Sequence, residues 1–270
     1  MKTPTRKQTA HRLAAVLSLA FAFATGGASA DPYYWTGATS ADYNTAENWS
    51  SNHVAVATRA PYWRWPSTPM YFETADIVSY RIDFGQNSYA RGTWTINAGT
   101  ETQPLEFYCA KGSTLVSPDC STYNYASALT VASTCDSWVW INGGQWDEFT
   151  RNVTIGSSDY AGHLIIGDDR GVATLFKATT GTYNFTFNQG SIAVFNATVN
   201  IGGQLIVGNT AGKLTSFDFY NSTMVISNYF SVKNSAIFNL CGGSITNAAQ
   251  YLTVDNSGEM IIRDGGRYAC

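Results

Sequence analysis

The stretch Phe238–Ile245 reads FNLCGGSI, apolar at its first, third and last places, and the shape returns less faithfully at Ile261–Tyr268 as IIRDGGRY, with Arg263 in the third place. Upstream it reads VWINGGQW (Val139–Trp146), FTFNQGSI (Phe185–Ile192) and FDFYNSTM (Phe217–Met224). The starts lie 46, 32, 21 and 23 residues apart. The last two intervals set a period near 22, 46 is close to twice that, and 32 requires an insertion. A second shape alternates with the first: LTVAS (Leu129), VTIGS (Val153), LIIGD (Leu164), LIVGN (Leu205), FSVKN (Phe230) and LTVDN (Leu252). Each copy alternates with period two and then meets a turn-forming Gly, Asn, Asp or Ser.

Two short strands and two polar turns cannot bury their own apolar side chains, so a single copy has no reason to fold. Stacked copies supply one another's core, and backbone hydrogen bonds then run from rung to rung at a spacing of about 4.8 Å. The sequence therefore predicts an all-β parallel β-solenoid (a β-helix), with Phe238 and Leu240 lying over Phe217 and Phe219. The competing architecture is an antiparallel β-sandwich or jelly roll, which also has many short strands. It does not require one motif at a one-rung spacing, and Asn-Gly hairpin turns are scarce here.

Residues 1–30 stand apart from the repeats. Lys2, Arg6, Lys7 and Arg12 precede the apolar run Leu13–Ala24, and the small residues Ala28–Ala30 follow. This is the pattern of a secretory signal peptide, with Asp31 expected to begin the mature chain. No later stretch is apolar for long enough to be expected to span a bilayer as a helix. Sixteen basic residues less those four leave twelve against nineteen acidic ones, a net charge of −7 beyond residue 30. Such a balance argues against nucleic acid as a partner. Residues 31–75 are expected to form an aromatic N-terminal cap. Asp31–Phe72 holds most of it, with Trp35, Trp49 and the Tyr62, Trp63, Trp65 cluster. Solenoid rungs are expected from Asp76 to residue 270, because an exposed first rung needs cover.

Trp35–Gly37 (W-x-G), Asn48-Trp49, a proline-containing loop, Ala75–Val78 (ADIV) and then L-x-V-G-N and Gly-Gly repeats follow one another in this chain. In that order they resemble the amino-terminal part of bacterial secreted proteins related to autotransporter-associated β-strand repeats and passenger-type β-helices. The resemblance implies an exported, cell-surface, adhesion-type protein, of a kind that often carries a carboxyl-terminal sorting or anchoring module. The sequence stops at GGRYAC inside a repeat, so the expectation is a truncated product or fragment, with anchoring left open.

Candidate chemistry is sparse. GDDRG places Asp168, Asp169 and Arg170 together, where carboxylates can bind a cation and a guanidinium can hold a sugar acid. A turn after LIIG explains the same residues with solvent nearby and no ligand. Asp147 and Glu148 are adjacent on a strand and so are expected on opposite faces, which argues against a catalytic pair. His163 has no Ser or Cys nucleophile beside it in sequence and reads as a lone surface or rung histidine. Tyr62, Trp63 and Trp65 can stack on sugar rings, and burial in the cap explains them equally well. Five cysteines (109, 120, 135, 241 and 270) lack metal-site spacing; Cys109 with Cys120 or Cys135 are the nearest pairings, and an odd number leaves one over. No metal or other cofactor is expected. The sequence thus predicts a secreted or cell-surface, non-catalytic solenoid acting in a surface, matrix or adhesive role, with extracellular polysaccharide or cell-surface components as partners. A polysaccharide-cleaving β-helix lyase or hydrolase, or a carbohydrate-binding module, are the alternatives.

Overall fold

The computed structural model describes residues 33–42, 45–50, 69–84, 93–109, 114–115, 128–143, 145–149, 151–168, 174–178, 183–249, 251–255 and 257–270. Its strands, numbered in chain order, lie in three parallel sheets. The first holds β1 (Tyr33–Tyr34), β2 (Pro69–Glu73), β4 (Thr93–Asn97), β7 (Leu129–Val131), β10 (Val153–Ile155), β13 (Asn184–Phe187), β16 (Gln204–Val207), β19 (Phe230–Val232) and β22 (Leu252–Val254). The second holds β3 (Arg81–Phe84), β5 (Leu105–Cys109), β8 (Ser137–Asn142), β11 (Gly162–Gly167), β14 (Gly190–Phe195), β17 (Thr215–Tyr220), β20 (Ile237–Cys241) and β23 (Glu259–Arg263). The third holds β6 (Thr114–Leu115), β9 (Gln145–Phe149), β12 (Thr174–Ala178), β15 (Ala197–Ile201), β18 (Thr223–Ile226), β21 (Ser244–Asn247) and β24 (Arg267–Ala269). The chain visits the sheets in turn and climbs one strand spacing per circuit: a parallel β-solenoid. The antiparallel alternative is excluded.

A rung has three sides, where the repeat shapes predict two. The octet is not a strand plus a turn. FDFYNSTM covers the second-sheet strand β17, a corner at Asn221-Ser222, and the start of β18 in the third sheet. Its last apolar residue, Met224, is thus the inward residue of the next side, as is Ile245 in the following rung. The second shape supplies the first sheet at every copy but Leu164.

Inward columns run the length of the stack. Phe217 lies beside Phe238 and Phe219 beside Leu240, in parallel register as the sequence predicts, and all four are buried. Leu129, Val153, Phe185, Leu205, Phe230 and Leu252 form a column in the first sheet, so successive rungs take 24, 32, 20, 25 and 22 residues. Two repeats exchange places relative to the sequence alignment. Phe185 belongs to the first sheet, whereas Leu164 belongs to the second, between Val139 and Ile192. The final octet is also displaced by one: Met260, not Ile261, lies beside Phe238, while Tyr268 keeps its place beside Ile245. The corner Asp264–Gly266 has one residue more than Gly242–Gly243 and absorbs the difference.

The corners between the second and third sheets explain the Asn and Gly of the octet. Asn196 (φ 46°), Asn221 (φ 45°) and Gly242 (φ 72°) follow strands in register and all adopt the left-handed conformation that Asn and Gly tolerate best. Their amides donate to Tyr220, Cys241 and Arg263 of the next rung at 3.3, 3.1 and 3.1 Å, carrying the ladder round the bend.

The N-terminal end is aromatic. Trp35 and Trp49 meet edge to face at 5.2 Å, and Phe72, Trp94 and Phe107 continue the cluster, all of them buried. Within 31–75, however, β1 pairs with β2 and β2 with β4, so the ladder begins ahead of Asp76, where the sequence places the first rung. Asn48 binds this end together: its Oδ1 accepts from the Thr39 and Ser40 amides at 2.9 and 3.0 Å, and its Nδ2 donates to the Asp42 carbonyl at 2.8 Å.

Candidate functional site

Of the residues that the sequence singles out, Tyr62, Trp63, Trp65, Asp169 and Arg170 lie outside the described residues, as do residues 1–30. Asp168 is described, and it is not near solvent: it is 2 % exposed at the end of β11. Gly167 has φ +86° and a Cβ there would land on the Phe195 carbonyl, so the chain turns tightly against the next rung. Asn196 Nδ2 then donates to the Asp168 carbonyl at 2.9 Å. The turn-with-solvent reading of Asp168 is therefore corrected. Around Asp147 and Glu148 the backbone of β9 is irregular: Trp146 pairs with Phe176 and Phe149 with Ala178, leaving one extra residue on β9. Simple alternation does not carry across such a bulge. Cys135, Cys241 and Cys270 are free, which removes the Cys109–Cys135 pairing.

The richest described surface is the outer face of the second sheet. In β8 the inward residues Ser137, Val139 and Ile141 alternate with Trp138 and Trp140, which are therefore outward and half-buried. Parallel register sets His163 beside Trp138 and Glu106 beside Trp140, with Arg81 beside Glu106. The His163 ring stacks on Trp138 with centroids 4.1 Å apart and planes within 9°. Its Nδ1 lies 2.7 Å from Ser191 Oγ, in hydrogen-bonding contact. Burial pushes the His163 imidazole below its ordinary value, outweighing the opposing pull of Asp136 and Glu101. Trp140 Nε1 donates to the Gly167 carbonyl at 2.7 Å, which fixes the ring and commits its only donor to the scaffold.

The Arg81 charge on this face is paired. Arg81 Nε meets Asp83 Oδ1 at 2.6 Å and Arg81 Nη1 meets Glu106 Oε2 at 3.4 Å, while its guanidinium lies 4.2 Å from the Tyr108 ring centre. Burial works against its charge, but the Asp83 hydrogen bond and the fields of Glu106 and Asp83 together hold Arg81 above its ordinary value. Asn142 Nδ2 donates to Glu106 Oε1 at 2.9 Å, so the carboxylate is held from two sides. Indole edges and faces beside fixed polar groups suit the apolar faces and hydroxyl rims of sugar rings. Among the described residues no group of three or more His, Cys, Asp or Glu is arranged to hold a metal ion.

The first and third sheets present different outer faces. One outward column of the first sheet reads Thr95, Thr130, Thr154, Thr186, Ile206, Ser231 and Thr253. In the third, Thr198, Thr223 and Ser244 stand in one column and Asn200, Val225 and Thr246 in the other.

Trp138 and Trp140 were within reach of sequence reasoning, because the octet's apolar first and third places already put Trp140 on the opposite face. The juxtaposition of Arg81, Glu106 and Trp140 was not, since three different rungs bring them together. No family model, curated protein or solved structure matches the chain.

Proposed function

We propose that this chain is an exported, non-catalytic β-solenoid that acts at the cell surface or in an extracellular matrix by presenting long, rigid faces. The observation that supports the reading is the threonine column Thr95, Thr130, Thr154 and Thr186 on the first sheet. Neighbouring strands are about 4.8 Å apart, so the column repeats one short, rotamer-restricted hydroxyl at that spacing. A catalytic site needs unlike groups converging on one reacting atom, and a column of identical residues supplies recognition or spacing instead. The basic start and apolar run before Ala30 support export, and the resemblance to passenger-type β-helices supports a surface role.

A second reading, carbohydrate binding, is favoured by one observation: Trp138 and Trp140 stand half-buried on the outer face of a sheet, with the Trp140 ring held by its hydrogen bond to Gly167. A panel of soluble and insoluble polysaccharides tests both. The surface reading expects retention on at least one polymer or cell-wall preparation and no new chain ends; release of reducing or unsaturated ends would overturn it in favour of a lyase or hydrolase. If the Trp138→Ala and Trp140→Ala variants lose about tenfold in affinity with unchanged unfolding midpoints, the binding face is the second sheet.

A further inference from the structure

The outer face of the second sheet is uneven where β11, β14 and β17 run side by side, each paired on both of its edges. In register, Ser191 and Ser216 follow His163 in one outward column, Ala193 follows Ile165 in the next, and Phe195 lies beside Tyr220 in the third. The short side chains of Ser191, Ala193 and Ser216 are thus surrounded by taller ones. On one side His163 stacks on Trp138 with centroids 4.1 Å apart. On the other Phe195 and Tyr220 stack at 5.0 Å with planes within 4°. The two outer columns are four residues apart, about 13 Å along the strands, and the rings at either side leave between them the breadth of about one sugar ring.

The polar groups beside this depression set the class of ligand. Asp218 follows Ala193 in the middle column, and its Oδ1 accepts from Asn239 Nδ2 at 2.6 Å. That bond fixes the carboxylate and leaves its Oδ2 to accept from further donors. Asp218 forms no ion pair with a described Lys or Arg, and Arg263, two strands on, is taken up by Cys241, Asp264 and Tyr220. A fixed carboxylate with acceptor capacity to spare suits the hydroxyl groups of a sugar. The same charge repels a uronic acid, and no guanidinium is placed to offset it. At the base, the Ala193 methyl and the Ile165 side chain suit the C–H face of a pyranose ring.

We propose that this depression is a subsite for one neutral hexopyranose unit of a polysaccharide, an assignment that rests on the carbohydrate-binding reading and names its ligand. Ala193 is the floor, the two aromatic stacks are the walls, and Asp218 accepts from the hydroxyl edge of the ring. The His163 ring is held in its wall by the 2.7 Å contact of Nδ1 with Ser191 Oγ, so the site is formed before a ligand arrives.

The test is electrophoresis of the purified protein through native gels containing a neutral β-glucan, a galactomannan, pectate or alginate, with Ala193→Phe and Asp218→Ala alongside. The expected result is retardation by at least one of the two neutral polymers and by neither polyuronate. Ala193→Phe fills the depression and Asp218→Ala removes its acceptor, so each should weaken retention about tenfold with an unchanged unfolding midpoint. Both positions face outward, and two substitutions of opposite kind keep the test independent of how either variant folds. Retention that neither substitution weakens overturns the subsite and leaves the carbohydrate-binding reading standing on Trp138 and Trp140. Retardation by pectate or alginate overturns the assignment to a neutral sugar, again without touching that reading. Free migration through all four gels overturns both.

Discussion

Gly243 and Gly212 separate two costs that glycine usually combines. Both sit at positive φ, 72° and 71°, but a Cβ on Gly243 would strike the Ser222 backbone of the previous rung whereas one on Gly212 meets nothing within 4 Å. Gly212→Ala is expected to cost about 1 kcal/mol for the left-handed backbone alone. Gly243→Ala adds the separation of two rungs and should cost at least twice as much; urea unfolding of both variants measures the difference. His163 makes a prediction of the other kind. Its imidazole is held below its ordinary value, so the folded state favours the neutral ring and the unfolded chain takes up the proton first. Stability is therefore lost as pH falls below the unfolded value of about 6.5, and the loss levels off below the folded value. The His163→Gln variant should unfold with a shallower pH dependence than wild type between about pH 7 and 5, and an unchanged slope would show that the ring titrates freely.

Within the stack, strands such as β11, β17 and β20 alternate buried and outward residues, whereas β9 is bulged. Leu240→Ala removes a fully buried residue from the column shared with Phe219 and should cost about 2–5 kcal/mol, while the outward Thr154→Ala should stay within about 0.5 kcal/mol. Chemical denaturation of the two variants checks the face assignment of both strands. That alternation was legible in the sequence, as was the stacking of Phe217 on Phe238. What the sequence misassigned is which sheet a strand joins. LIIGD at Leu164 and FTFNQ at Phe185 each look like a strand followed by a turn, and each is one; they belong to different sides of the rung. Local pattern cannot distinguish the sides because all three have the same period of two and the same inward apolar demand. Among the candidate site residues, Asp168 was misread for a related reason: a Gly-Asp turn is exposed in an isolated loop, but here the next rung's Asn196 covers it.

Across the whole stack, stability is a sum of rungs and of contacts between neighbours. The aromatic cluster around Trp35, Trp49 and Trp94 closes one end, while Ile262 and Val254 stand open at the other. Hydrogen exchange should follow that gradient. Amides of β17 and β20 are expected to exchange only through large-scale unfolding, and those of β22 to β24 sooner, by local opening of the last rung. Mass-spectrometric exchange with uniform protection along all three sheets would contradict this.

By itself the sequence determined that short alternating strands must stack on copies of themselves, since a 22-residue unit has too little surface to bury its own Phe and Leu side chains. Only the tertiary structure decided that a rung has three sides, which strand lies on which side, and that Arg81, Glu106 and Trp140 share a face. Inside and outside follow from neighbours two residues apart along the chain, whereas sides and faces follow from hydrogen bonds between residues 20 or more positions apart, through corners of variable length.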